Sequence, residues 1–209
     1  MTARIELLTT NGTFNLDGGS WDVENNVWFI GDDDEVIVID GAHDADGITA
    51  QVGGRRVVAL LCTHGHDDHI DVASEVGDYV QAPVWLHPAD QPVWDLTYPG
   101  RLPDGDLADG QQIQVAGVTI TVLHTPGHTP GGCSFHVAEL GTVFTGDTLF
   151  KGGPGATGRS FSDFPTIIES IRSKLLTLPS ETVVRTGHGE STTILAEAAD
   201  LDEWIARGH

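Results

Sequence analysis

Three imidazoles and the carboxylate of Asp68 fall within six consecutive positions, His64-Gly65-His66-Asp67-Asp68-His69, directly after an apolar, partly β-branched run, Val57-Val58-Ala59-Leu60-Leu61. A short apolar run of that kind reads as a buried strand. The strand stops where the polar residues begin, and Gly65 relieves the crowding there. Imidazole nitrogen and carboxylate oxygen are the donors that suit zinc and similar divalent metals. A lone histidine is usually a structural residue, but four such donors in this order are hard to explain as packing.

The pattern recurs downstream. Val115–Leu123 alternates like a strand and is followed by His124-Thr125-Pro126-Gly127-His128. Val143-Phe144-Thr145 leads into Gly146-Asp147, and Val183-Val184-Arg185-Thr186 leads into Gly187-His188. Each apolar strand ends beside a glycine and a metal-ligand type of residue. Loops at strand termini are where α/β proteins gather their active sites.

These motifs resemble the metallo-β-lactamase superfamily, over a stretch from Val27 to about His188. The matching residues are His64, His66, Asp68, His69, His128, Asp147 and His188, with Asp40 at the end of Val36-Ile37-Val38-Ile39. Gly146-Asp147-Thr148-Leu149-Phe150 and Thr186-Gly187-His188 are most similar to the compact hydroxyacylglutathione hydrolase (glyoxalase II) branch. The resemblance implies an α/β (α+β) fold, an αββα sandwich of two mixed sheets flanked by helices, with residues 1–209 as one domain. The order of elements alone gives only an α/β or α+β chain.

By the same resemblance, His64, His66 and His128 hold one divalent metal, Asp68, His69 and His188 hold a second, and Asp147 bridges both. Seven donors exceed what one tetrahedral zinc takes and suit a pair of ions. Zinc leads, and the oxygen-richer second set is also compatible with iron or manganese. Asp68 and Asp147 are the catalytic carboxylates, and Asp40 orients a ligand or its loop from behind. The implied reaction is hydrolysis of a thioester of a low-molecular-weight thiol by a metal-bridging hydroxide. Arg159, with Lys151 as a second choice, is the cation expected to meet a substrate carboxylate. The alternatives are a one-iron persulfide dioxygenase-like oxidoreductase, a lactone or β-lactam hydrolase, and a metal-stabilised binding module without turnover.

Other residues have plainer readings. His43, His87, His124, His136 and His209 match no ligand position, and His124 is read as structural or supporting. Cys62 is read as a buried inert thiol, Asp32-Asp33-Asp34-Glu35 as a solvated hairpin turn, and Gly152–Gly158 as an active-site wall. Strands are expected near 4–8, 11–16, 27–31, 36–40, 57–61, 84–87, 112–116, 118–123, 133–137, 142–145 and 182–186. Helices are expected near 44–52, 69–77, 164–177 and 191–206.

Composition narrows the partners. A net charge of −21, from 10 basic and 31 acidic residues, disfavours nucleic acid and anionic membranes. No apolar stretch approaches the roughly 20 residues of a membrane span. The amino terminus lacks a signal-peptide pattern, and two cysteines make no disulfide framework, so a cytoplasmic enzyme with a small-molecule substrate is expected.

Overall fold

Every residue after the first in the β-strand Glu35–Ile39 is apolar because both of its faces are buried. Ile37 and Ile39 point into a core between two sheets, while Val36 and Val38 point into a second core under helices. Such two-sided burial turns the usual in–out alternation into a continuous apolar run. The computed structural model describes residues 2–208 and places this strand near the middle of a six-stranded sheet. His209 lies outside the described residues.

In spatial order the first sheet comprises β1 (Arg4–Leu16), β2 (Gly19–Gly31), β3 (Glu35–Ile39), β4 (Arg56–Leu61), β5 (Val84–Leu86) and β6 (Gly105–Asp106). Its first two pairings are antiparallel and its last three parallel. The chain then forms β7 (Gln112–Val115), β8 (Val118–His124), β9 (Cys133–Val137) and β10 (Thr142–Gly146), a small hairpin of β11 (Leu149–Phe150) and β12 (Gly153–Pro154), and finally β13 (Val183–Thr186) and β14 (Thr192–Thr193). The second sheet has the order β14-β13-β10-β9-β8-β7. Ile113, Ile120, Val122, Phe135 and Phe144 from this sheet meet Ile30, Ile37, Ile39 and Leu61 from the first.

Helices cover the outer faces. α1 (Ala45–Val52), α2 (Asp67–Ile70), α3 (Ala73–Val80) and α4 (Gln91–Thr97) pack on the first sheet through Ile48, Ile70, Val76 and Trp94. α5 (Phe164–Ser170), α6 (Ile194–Ala198) and α7 (Leu201–Arg207) pack on the second through Ile167, Ile168, Ile194 and Trp204. The result is the expected pair of mixed sheets flanked by helices. Among the described residues no helix is long and apolar enough to cross a membrane.

Several elements differ from the sequence reading. The strands expected at 4–8 and 11–16 are one strand, and β2 begins eight residues earlier than expected, at Gly19. The two pair along their whole length around Asp17-Gly18, with φ of 53° and 78°. Positive φ at both positions is the two-residue hairpin turn that an Asp-Gly pair favours. The helix expected at 69–77 is split into α2 and α3, and the one at 191–206 into β14, α6 and α7. Beyond α5, Ile171–Leu175 widens into a π-type turn. Helix α4 was not anticipated, because Pro88 and Pro92 interrupt its pattern.

Phe135 is fully buried between the sheets. Phe135→Ala should therefore lower stability by about 3–5 kcal/mol through lost transfer energy and the cavity left behind. Urea unfolding of chelator-treated protein should show a lower midpoint at unchanged slope. A loss below about 1 kcal/mol would mean that the two sheets repack freely.

Candidate metal centre

Strand direction explains why the polar residues meet. β8 runs antiparallel to β9, β9 antiparallel to β10, and β10 parallel to β13, so β8, β10 and β13 end at one edge. In the first sheet β3 and β4 run parallel and end together. The segments leaving these ends carry Asp40, His64–His69, His128, Asp147 and His188. Cys133 N–H donates to the Thr63 carbonyl at 2.7 Å, and Asn26 N–H to the Gly187 carbonyl at 2.7 Å, tying the two sheets together at this edge.

The seven side chains expected from the sequence converge. His64, His66 and His128 each offer an atom within 4.8 Å of the others, as do His64, His69 and Asp147, and Asp68, His69 and His188. His66 Nδ1 lies 3.1 Å from His64 Nε2 and 3.0 Å from His128 Nε2. His188 Nε2 lies 3.2 Å from His69 Nε2 and 3.3 Å from Asp68 Oδ2. Asp147 sits between the groups, 3.4 Å from His69 Nε2, 3.4 Å from His188 Nε2 and 3.7 Å from His128 Nε2.

The outward atoms decide which nitrogens face inward. His128 Nδ1 donates to the Ala156 carbonyl at 2.8 Å and His188 Nδ1 to the Glu24 carbonyl at 2.7 Å. His69 Nδ1 donates to Asp40 Oδ2 at 2.8 Å. Thr63 Oγ1 donates to Asp40 Oδ2 at 2.9 Å, which leaves it to accept from His64 Nδ1 at 3.0 Å. In these four rings the proton is spoken for, and the Nε2 lone pair points at the other donors. Lone pairs facing one another at about 3 Å repel unless a cation or proton lies between them. Asp147 Oδ1 is also buried without a hydrogen bond. Imidazoles so oriented, once neutral, and ionised carboxylates fit divalent metals, with His64, His66 and His128 suited to one ion, Asp68, His69 and His188 to another, and Asp147 to both.

Titration follows the same division. Burial, reinforced by His69 and His66, holds His64 well below the ordinary histidine range. Burial and His128 bring His66 down to about 3. Burial opposes the charge on Asp68, yet His69, His188 and Asn25 hold its pKa down at about 2. Burial likewise disfavours protonated His188, but Asp147 and Asp68 raise it to about 10. His69 is raised well above its usual value against burial, chiefly by Asp68 and Asp147.

Structure adds supports that the sequence did not reveal. Asn25 Nδ2 donates to Asp68 Oδ2 at 3.0 Å, and its Oδ1 meets His43 Nε2 at 3.0 Å. His43 in turn holds Asp71 at 2.9 Å. Asp90 reaches two of the ligand-bearing loops. His124 stacks on His87 at 4.0 Å and contacts the Pro130 carbonyl, a structural role. Half-buried His136 sits on β9 opposite Val143 and belongs to none of the converging groups. Burial, then Asp40 and Asp90, raise the Cys62 thiol well above its ordinary value, which leaves it a poor nucleophile. Asp32 closes the β2–β3 turn by accepting from the Asp34 and Glu35 N–H groups.

A cavity of 220 Å³ opens above Asp68, Asp147, His66, His128 and His188, walled by Phe14, Leu16, Trp21, Val23, Ala156 and Arg159. The Arg159 guanidinium lies 3.8 Å over the Trp21 ring. Ser160 is pinned to Asp17 at the hairpin tip through its hydroxyl, at 2.6 Å. Lys151 is placed differently from expectation. It pairs with Glu190 on the surface and lines a separate outer groove, because β11 turns it away from the cavity.

Metal binding should displace the protons that the carboxylates hold on His69, raised well above the ordinary histidine value, and on His188, raised to about 10, while His64 and His66, both lowered by burial, are already neutral. Affinity should therefore rise with pH around neutrality, by up to about tenfold per unit for each proton released. Calorimetric titration of chelated protein in two buffers of different ionisation enthalpy should show that release. Loading without proton release would contradict this charge distribution.

The Metallo-beta-lactamase superfamily signature matches residues 21–188. The chain is 32% identical over 187 residues to a protein of Haemophilus influenzae named hydroxyacylglutathione hydrolase GloC, covering 82% of this chain and 88% of that one. The crystal structure of TTHA1623 in a di-iron-bound form superposes with a TM-score of 0.74 at 32% identity, over 84% of this chain and 93% of the other. That of BLEG-1 B3 metallo-beta-lactamase superposes with a TM-score of 0.75 at 28% identity, over 92% and 97%. With its signature spanning both sheets and the loops that bring the histidines and aspartates together, this chain belongs to the metallo-beta-lactamase superfamily.

Proposed function

We propose that this protein is a binuclear metallohydrolase that cleaves a thioester of a small thiol. The observation that carries the reading is Asp147, which lies within reach of both donor groups at the floor of a cavity. Two divalent metals held there, zinc or alternatively iron or manganese, would supply hydroxide at neutral pH and a Lewis-acid contact for a carbonyl oxygen. Phe14, Leu16, Trp21 and Val23 give the cavity an apolar wall that limits water around a bound acyl group. A thiolate leaves without being protonated, so the reaction asks for no separate acid. The likeness to GloC supports a thioester, and the net charge of −21 disfavours polyanionic substrates.

Among the described residues Arg159 is the one guanidinium or ammonium side chain lining this cavity. Its flat face is stacked on Trp21, and among the described residues no carboxylate is hydrogen-bonded to it. Its N–H edge suits a substrate carboxylate.

The test is elemental analysis of metal-replete protein together with a panel of thioesters varied in the thiol. Two ions per chain and turnover of at least one thioester are expected. One iron per chain with oxygen-dependent turnover of a persulfide would replace the proposal with the oxidoreductase reading, and a panel turned over only at lactam or lactone bonds would also overturn it.

Arg159→Ala should lower kcat/KM for anionic thioesters by about ten- to a hundredfold, the loss of roughly 1.5–3 kcal/mol for a charge-assisted hydrogen bond. Neutral thioesters should change little. Equal losses on both would assign Arg159 to bracing the 152–162 loop instead.

A further inference from the structure

Asp90 is fully buried, yet it neither pairs with a cation nor serves its own helix. It occupies the position just before α4, where an aspartate ordinarily accepts a hydrogen bond from the first turn of the helix. Here the side chain makes no such bond. It turns instead toward two ligand-bearing loops. Oδ2 accepts from Gly65 N–H at 2.8 Å and from Thr129 Oγ1 at 2.7 Å, while Oδ1 accepts from Gly131 N–H in a short bond. Gly65 lies between His64 and His66, and Thr129 and Gly131 follow His128.

The close fit is built in from both sides. A Cβ on Gly131 would stand 2.6 Å from the Asp90 nitrogen, and one on Gly65 would stand 3.0 Å from the Trp94 nitrogen. Both contacts are with backbone, which cannot move aside. The two loops therefore reach Asp90 because they lack side chains at the points of contact.

We propose that Asp90 is the positioning residue of the three-imidazole group, fixing His64, His66 and His128 relative to one another by clamping the loops that carry them. Asp40 has the matching place behind the other group, holding His69 directly and His64 only through Thr63. Removal of either carboxylate should then weaken a different ion. The proposal rests on these imidazoles binding metal and is independent of the thioester reading.

Asn at position 90 keeps the shape but turns an N–H₂ toward one of the buried donors, so at least one clamp opens. The experiment uses chelated full-length protein titrated with Co²⁺, followed by its visible absorption, in two backgrounds. His188→Ala leaves the three-imidazole group complete, and His128→Ala leaves the other. In the first background Asp90→Asn should weaken Co²⁺ binding by about ten- to a hundredfold, the range typical of residues that orient metal ligands. In the second it should change binding less than about threefold. Thr129→Val, which removes a single clamp with little change of shape, should produce a smaller loss with the same selectivity. Melting of the metal-free variants checks that they fold. If Asp90→Asn does not fold, Thr129→Val alone decides. Equal weakening in both backgrounds, or none in the first, would overturn the assignment. Absence of Co²⁺ binding to the His188→Ala parent would instead count against metal binding by the imidazoles.

Discussion

Five imidazoles and two carboxylates crowd into a space where few water molecules can reach them, and the rest of the structure answers that crowding. Buried polar groups are tolerable only when their outward atoms are hydrogen-bonded. Each outward nitrogen that is satisfied here meets a rigid acceptor: the Glu24 carbonyl on β2, the Ala156 carbonyl, the Asp40 carboxylate and the Thr63 hydroxyl. These acceptors come from the first sheet and the ends of its strands and from the loop beyond β12, whereas His128, Asp147 and His188 follow strands of the second sheet. Neither sheet alone could orient the set, so docking of the sheets and assembly of the centre are one event.

The ends of the strands do the same work at the level of backbone. Asp40 has a φ of 64° and Gly146 a φ of 48°, a region that costs an ordinary residue energy. In Asp40 the twist lets one carboxylate accept from Thr63 N–H, Thr63 Oγ1 and His69 Nδ1 together. Gly146 passes so near Thr63 that a Cβ would stand 2.6 Å from its side chain. Gly155 and Gly187 crowd Asp147 in the same way. Glycine at these places reflects the closeness of neighbouring chain to the acidic centre rather than a need for flexibility.

The converging set was legible in the sequence because its members follow apolar strands and so declare their positions locally. The seven residues meet as that pattern implied, and Asp40 stands behind His69 and Thr63. The supports were not legible. Asn25 lies in a polar stretch of β2 whose strand character comes only from pairing with β1 across the Asp17-Gly18 turn. Asp90 lies between prolines in a segment with no helical or strand period, and its partners are about 25 and 40 residues away in the chain. Lys151 was misplaced because proximity to Asp147 in sequence does not fix which way a two-residue strand faces.

The cavity wall has a different origin from its floor. Phe14, Leu16, Trp21 and Val23 come from the β1–β2 hairpin, and Ala156, Arg159 and Ser160 from the loop after β12. Asp17 with Ser160, and Trp21 with Arg159, fasten these two segments to each other at the mouth. Among the described residues their polar contacts with the converging histidines and aspartates are the Glu24 and Ala156 backbone carbonyls and the Asn25 side chain. Their outer residues can therefore change without disturbing the donors beneath. A stacked arginine also keeps its position without a carboxylate partner, which preserves its charge for a ligand in an otherwise acidic protein. The proposed function thus assigns choice of substrate to the hairpin and loop, and reactivity to the strand ends below them.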